Sequence, residues 1–210
     1  MKSVFPRPDW IPLVDDGTRV LIVGASGGLG RALVCLLLEG SDCVIGAHGA
    51  SQSIDINDDR IIPLQRNFEE EEDCRVLVDE FVDKAGGIDA LVVLSGSIQS
   101  TGHWKDLSGS DWEREIDVNL NQPFFLAQTA MAHMKKQQTS GRIVLTGTES
   151  AIHGGSSISF PYAVAKRGTE CMVQGLAREG APDGILVNGV RMGYVTSGFH
   201  ERWHNKSKKW

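Results

Sequence analysis

The sequence predicts a single α/β domain built on a doubly wound parallel sheet, and three observations predict it. Short apolar runs of strand length recur along the chain, segments with apolar residues at helical spacing fill most of the gaps, and a glycine-rich loop joins the first run to the first helical segment. Alternation of this kind implies right-handed crossovers and helices on both faces of the sheet. With 210 residues, 41% of them apolar and 23% charged, the chain can bury one sizeable core.

Residues 1–17 form a polar, proline-marked leader, and the domain itself is expected over 18–210. Arg19-Val-Leu-Ile-Val23 is the first buried strand and stops at Gly24. Over 29–39 the apolar residues Leu29, Ala32, Leu33, Leu36 and Leu37 recur at helical spacing, with Gly40 as the stop. Further strands are expected at 43–45, 61–64, 90–94, 142–146 and 185–190. The acids from Glu69 to Asp73 open the helix that carries Val76, Leu77 and Phe81, because negative charge at a helix N-terminus complements its dipole. The closing 204–210 stretch is basic and patternless and reads as a chain end or loop. No internal repeat and no second domain are visible.

Composition narrows the function. Twenty-one Lys and Arg against 27 Asp and Glu leave a formal charge of −6, which disfavours nucleic acid or an anionic membrane as the main partner. Cys35, Cys43, Cys74 and Cys171 form neither a CxxC pair nor a Cys/His cluster, so no metal site is expected and the thiols suit a reducing cytoplasm. The proline- and charge-bearing N-terminus lacks the apolar run of a signal peptide, and no stretch reaches the roughly 18 apolar residues of a membrane helix. A small neutral or anionic ligand remains open.

Gly24-Ala-Ser-Gly-Gly-Leu-Gly30 follows the first strand and opens the first helix, where backbone amides can face a pyrophosphate without a Cβ in the way. The alternative is a tight turn that only connects two elements. Ser26 and Leu29 belong to this loop, whose Gly24, Gly28 and Gly30 have the spacing Gly-x-x-x-Gly-x-Gly and not Gly-x-Gly-x-x-Gly. An NAD-specific site places an acid at the end of the second strand to bind the ribose 2′-hydroxyl. Here the comparable position is His48, followed by Gly49, Ala50 and Ser51. No carboxylate repels a 2′-phosphate, and Ser26, His48 and Ser51 can donate to it, so NADP(H) is expected over NAD(H). Tyr162 and Lys166 stand one helical turn apart on one face. Alone, such a pair is ordinary helix surface; beside a nucleotide loop it is a phenol and the cation that makes it reactive.

These motifs, taken in order, resemble the short-chain dehydrogenase/reductase family over nearly the whole chain. The glycine spacing is the family's; "DALVVLSG" (89–96) sits at its strand followed by Asn-Asn-Ala-Gly, "DVNLNQPFFL" at its Asn-bearing helix, "RIVLTGT" at its fifth strand, and "YAVAK" is its Tyr-x-x-x-Lys. β-Ketoacyl-carrier-protein reductases look closest, through "VIGAHGAS" and the Gly147-Thr148 pair. The resemblance implies a Rossmann fold and hydride transfer between a nicotinamide and a small carbonyl or alcohol. It implies Tyr162 as acid/base, Lys166 lowering its pKa and holding the nicotinamide ribose, and Asn119 supporting a water relay. It also implies cofactor contacts at Ser95, Gly96, Gly193, Val195 and the Thr196/Ser197 pair, with Asn67 near the adenine. Only a small residue and the glycine of Asn-Asn-Ala-Gly survive, as Ser95 and Gly96. The family's substrate hydroxyl falls about 13 residues before the tyrosine, at Glu149, which cannot donate when ionised. Its neighbours Thr148 and Ser150 can, and the strand register favours Thr148. Family members add a further helix pair and a seventh strand, so a C-terminal strand is expected to be missing. Pairing through the helices expected at 122–138 and 162–179, on faces bearing Phe125, Ala132, Met172 and Leu176, would give a homodimer or homotetramer.

Two other functions compete. A non-catalytic dinucleotide-binding regulator or structural protein is favoured by the altered 93–96 stretch and opposed by Asn119, Tyr162 and Lys166. A nucleotide-sugar epimerase or dehydratase of the same fold would bring a longer C-terminal substrate domain. Gln99, His103, Trp104, His153, Phe160, Tyr194 and Phe199 are candidates for the substrate pocket, and the substrate itself is not legible.

Overall fold

Six apolar runs pair into one parallel sheet in the computed structural model, which describes residues 14–100 and 102–199. The strands are β1 (Arg19–Val23), β2 (Val44–Gly49), β3 (Ile61–Gln65), β4 (Ala90–Val93), β5 (Gly141–Thr148) and β6 (Ile185–Met192), in the order β3-β2-β1-β4-β5-β6. The chain winds outward from β1 in one direction and from β4 in the other, so the expected doubly wound α/β sheet is present. The leader expected over 1–17 lies outside the described residues except for 14–17, and so does the basic 204–210 stretch.

The helices are α1 (Gly28–Gly40), α2 (Glu71–Ala85), α3 (Gly109–Ile116), α4 (Gln122–Gln137), α5 (Ser150–His153) and α6 (Phe160–Gly180). Side chains alternate across a strand, so Leu21 and Val23 of β1 face one core while Val20 and Ile22 face the other. The first core joins β1, β4 and β5 to Leu77 and Phe81 of α2 and Leu126 and Met134 of α4; the second joins β1 and β2 to Val34 and Leu37 of α1. Burial on both faces explains why β1 reads as an unbroken apolar run.

Two boundaries differ from the expectation. β2 continues to Gly49, well past the apolar run at 43–45, because β1 and β3 pair with it on both sides and the Phe81 ring packs where Gly46 has no side chain. Residues 117–121 form a π-helical turn between α3 and α4, a local irregularity that apolar spacing does not reveal. Asp73 does help to open α2: its side chain accepts from the Glu70 amide in a capping box, with Glu71 and Glu72 adding negative charge in the same first turn.

The carboxyl ends of β1, β4, β5 and β6 lie at one edge of the sheet, which brings Gly24, Ser95, Thr148 and Gly193 to the same end of the molecule. In open α/β sheets ligands bind at that edge, where the strand order reverses. Here the reversal lies between β1 and β4.

Candidate active site

Gly24 leaves β1 with φ +89, and a Cβ there would meet the Ser95 amide nitrogen at 2.9 Å. A glycine is therefore required where the loop crosses the end of β4. A Cβ on Gly30 would meet the Gly24 carbonyl oxygen at 2.2 Å, so the turn and the first turn of α1 are packed backbone to backbone. The N-terminus of α1 has no side-chain cap and no acid in its first turn, which leaves its amides available to an anion. Ser95 Oγ, beside this loop, is buried and has no hydrogen-bond partner among the described residues. Open amides, a backbone cradle and a buried hydroxyl in want of a partner all fit the pyrophosphate end of a dinucleotide.

A cleft of about 440 Å³ runs from this loop across the strand ends. Of the expected cofactor contacts, Gly24, Gly28, Leu29 and Gly30 line it on the loop side, Ser95 and Gly96 at its middle, and Gly193, Val195 and Ser197 from beyond β6. Thr148, Tyr162 and Lys166 line its other end. Of the expected pocket residues, His153, Tyr194 and Phe199 reach the cleft. The others do other things: Gln99 and His103 hydrogen-bond locally, Trp104 is 59% exposed, and Phe160 packs on Trp112.

Pro161 in the first turn of α6 helps start that helix, placing Tyr162 at the cleft and Lys166 one turn deeper. The Thr148 hydroxyl, at the end of β5, faces the Tyr162 phenol closely enough to favour its ionised form. Ser150 opens α5 and points its amide at Thr148 Oγ1, 3.3 Å away. Between the two hydroxyls, the one that meets the tyrosine is Thr148. Lys166 Nζ stands 5.9 Å from the Tyr162 ring centroid, over the ring, and is almost wholly buried. Burial pushes the phenol up to about 12, against the influence of the Thr148 hydroxyl, and holds the ammonium down to about 8, against the charge of Glu115. The lysine was expected to bring the phenol down; desolvation is instead the larger influence on it and favours the neutral phenol.

Asn119 lies within the π-helical turn and is fully buried. Its Oδ1 accepts from the Ser97 amide at 3.1 Å, and its Nδ2 donates to Ser97 O at 2.8 Å and Glu115 Oε1 at 2.9 Å. Gly96 sits against it with φ +144; a Cβ there would come within 3.0 Å of Asn119 Oδ1 and 3.1 Å of Lys166 Nζ. The asparagine thus both closes a helix irregularity and reaches the surroundings of the lysine.

At the adenosine end one expectation is corrected. His48 is 2% exposed inside the lengthened β2, its ring stacked 4.9 Å from that of Phe68. Its Nε2 lies 2.8 Å from the Arg66 carbonyl oxygen, which can only accept, so Nε2 carries the proton and Nδ1 presents a lone pair. Burial lowers its pKa and keeps the ring neutral, so it has no proton to give a 2′-phosphate. Ser51 is exposed just beyond β2, Ser26 Oγ lies 2.9 Å from where a Gly49 Cβ would stand, and Asn67 is exposed two residues past β3. Sequence reasoning missed Glu115, four residues before Asn119 and 1% exposed; an acid at i−4 from that asparagine was its only signal.

The short chain dehydrogenase family model matches residues 18–208. Glucose 1-dehydrogenase 2 of Bacillus subtilis is 27% identical over 193 residues, covering 86% of this chain and 73% of the relative. The 3-oxoacyl-acyl-carrier-protein reductase FabG of Vibrio cholerae is 29% identical over 184 residues, covering 86% and 74%. Among solved structures, a mutant of DEH reductase A1-R′ superposes with a TM-score of 0.78 at 24% identity, over 86% of this chain and 78% of that one. A short-chain type dehydrogenase/reductase from Mycobacterium ulcerans gives 0.79 at 17% identity, over 93% and 74%.

Gly24→Ala is expected to cost about 1–3 kcal/mol by thermal unfolding, through positive-φ strain and the approach to Ser95, and to weaken nucleotide binding in a fluorescence titration. Gly17→Ala, also at positive φ but with nothing within 4 Å, should show the strain alone and leave binding unchanged.

Proposed function

The chain belongs to the short chain dehydrogenase family, and from that premise we propose that it works with NADP(H) in preference to NAD(H), through Thr148, Tyr162, Lys166 and Asn119. It is an oxidoreductase that transfers a hydride between a nicotinamide and a small carbonyl or alcohol, as its dehydrogenase and reductase relatives are. The non-catalytic alternative has no support. The observation that carries the assignment of residues is the meeting of Thr148, Tyr162 and Lys166 at the strand ends, in the same cleft as the uncapped N-terminus of α1.

The bound nicotinamide supplies or accepts the hydride. The amides at the start of α1 and Ser95 would hold the phosphates, and Gly193, Val195 and Ser197, which line the cleft from beyond β6, would contact the rest of the cofactor. In reduction, Thr148 donates to the substrate carbonyl oxygen and fixes it beside Tyr162. The neutral phenol gives that oxygen its proton. Lys166 stabilises the phenolate left behind and holds the nicotinamide ribose, and Asn119 connects the lysine to water. The NADP(H) preference rests on the absence of a carboxylate from 48–51, with Ser26 and Ser51 as the hydroxyl donors to a 2′-phosphate.

Among the described residues no helix is long and apolar enough to cross a membrane. Cys35, Cys43, Cys74 and Cys171 are all free thiols, which suits the cytoplasm. Association through α4 and α6 is also proposed, as a homodimer or homotetramer; Phe125, Met172 and Leu176 pack partly against the core and leave the rest of their surface for a partner. Light scattering at micromolar concentration should give a multiple of 22.8 kDa, and a pure monomer would overturn the association.

Oxidation of NADPH and NADH against a panel of ketones, quinones and acyl thioesters tests the function, and kcat/KM should be higher with NADPH. On the best substrate Tyr162→Phe should lower kcat by about 10² to 10⁴ while NADPH still binds, and Thr148→Val by about 10². Full activity in Tyr162→Phe would contradict the catalytic assignment, and a preference for NADH the cofactor assignment. The kcat/KM for reduction needs both a protonated phenol and a charged lysine. With Tyr162 pushed up to about 12 and Lys166 held down to about 8, the rate should hold below pH 8 and fall as pH rises through it.

A further inference from the structure

Glu115, in the last turn of α3, is a carboxylate 1% exposed that the proposed reaction does not use. Burying such a group is costly unless it is paired and hydrogen-bonded. Here Oε2 accepts from the Gln99 amide at 2.8 Å and Oε1 accepts from Asn119 Nδ2 at 2.9 Å, and the Ser100 amide lies close enough to favour the ionised form. One N–H donor on each oxygen, with no acceptor bonded to either among the described residues, suits the ionised form.

The same contacts orient the asparagine. Asn119 Nδ2 also donates to the carbonyl oxygens of Ser97 and Glu115, at 2.8 and 3.1 Å. Reversing the amide would set its oxygen against two carbonyls and a carboxylate, so Oδ1 is held toward the Ser97 amide and toward Gly96, beside Lys166 Nζ. Among the described residues, the groups that bear on the lysine besides Asn119 are few. α6 supplies Tyr162, α3 supplies Glu115, β5 supplies the Thr148 hydroxyl, which does not titrate, and the 96–100 loop supplies backbone. Glu115 is the counter-charge among them.

We propose that Glu115 is a positioning residue for the Tyr162–Lys166 pair: it fixes the Asn119 amide, and its carboxylate is the buried counter-charge that keeps the Lys166 side chain an ammonium. The inference rests on the reading of Tyr162 and Lys166 as the working pair. Burial drives both Glu115 and Lys166 toward neutrality, and each charge opposes that drift in the other.

The test follows the ε-carbons of ¹³C-labelled lysine by NMR as pH is varied. The signal with a midpoint near 8 belongs to Lys166 if Lys166→Met removes it. In Glu115→Gln its midpoint should fall by about 1 pH unit or more, and the alkaline limb of kcat/KM should move with it. In Lys166→Met the Glu115 carboxyl carbon should titrate at higher pH than in the wild type, a measurement that stands even if Glu115→Gln does not fold. An unmoved Lys166 midpoint in folded Glu115→Gln, or an unmoved Glu115 midpoint in Lys166→Met, would overturn the proposal. A fall in kcat that is equal at every pH would do the same, marking Glu115 as a brace for the 97–100 loop only. Shifted midpoints beside a fully active Tyr162→Phe would sustain the counter-charge and sink the catalytic reading instead.

Discussion

Lys166 sets the terms for the centre of this molecule, because its side chain ends where almost no water reaches and the proposed reaction uses it as an ammonium. Burial opposes that charge, and the surrounding elements are arranged against burial. α3 brings Glu115, the π-helical turn brings Asn119, and the loop after β4 contributes a glycine so that both Asn119 Oδ1 and Lys166 Nζ can approach its backbone. A side chain on Gly96 would separate them. The π-helical turn between Asp117 and Asn121 carries Asn119, whose amide bonds Ser97 and Glu115 beside this lysine.

The other half of the site is a consequence of topology. Parallel strands end together, and the reversal of winding between β1 and β4 opens a crevice at that edge. Gly24 lets the chain turn within that crevice against Ser95, and the turn delivers the uncapped start of α1. The uncapped start of α1 and Tyr162, proposed for anion binding and proton transfer, are therefore brought together from different ends of the sequence by one sheet edge. The neutral phenol and the charged ammonium are opposite responses to the same desolvation, one favoured by it and one maintained against it.

Features that depend on neighbours in sequence were legible. Gly24, Gly28 and Gly30 declare a backbone turn, Tyr162 and Lys166 share a helix face by spacing alone, and the continuous apolar β1 fixed which residues are buried on both sides. The place of Thr148 at the end of β5 was legible for a similar reason, since strand pairing constrains register more tightly than the glycine loop before α6. His48 was not, because the end of β2 is decided by pairing with β1 and β3 and by the fit of Phe81 over Gly46, neither of which leaves an apolar signal. Glu115 was not, because its meaning comes from Gln99, Asn119 and Lys166, on three separate elements, and an acid in an amphipathic helix otherwise reads as solvated surface. The depression of the phenol pKa was expected from a charge nearby in sequence; burial, which sequence spacing does not register, proved the larger influence.

The central claim is that one cleft holds the dinucleotide on the amides of α1 and presents its nicotinamide to Thr148 and Tyr162. A crystal structure of the protein with NADPH tests it most directly. The account predicts the pyrophosphate against the Gly27–Gly30 backbone and Ser95, and the nicotinamide ring between the β4 and β5 ends beside Tyr162. NADPH bound elsewhere, or seated with its adenine rather than its nicotinamide beside Tyr162, would contradict it.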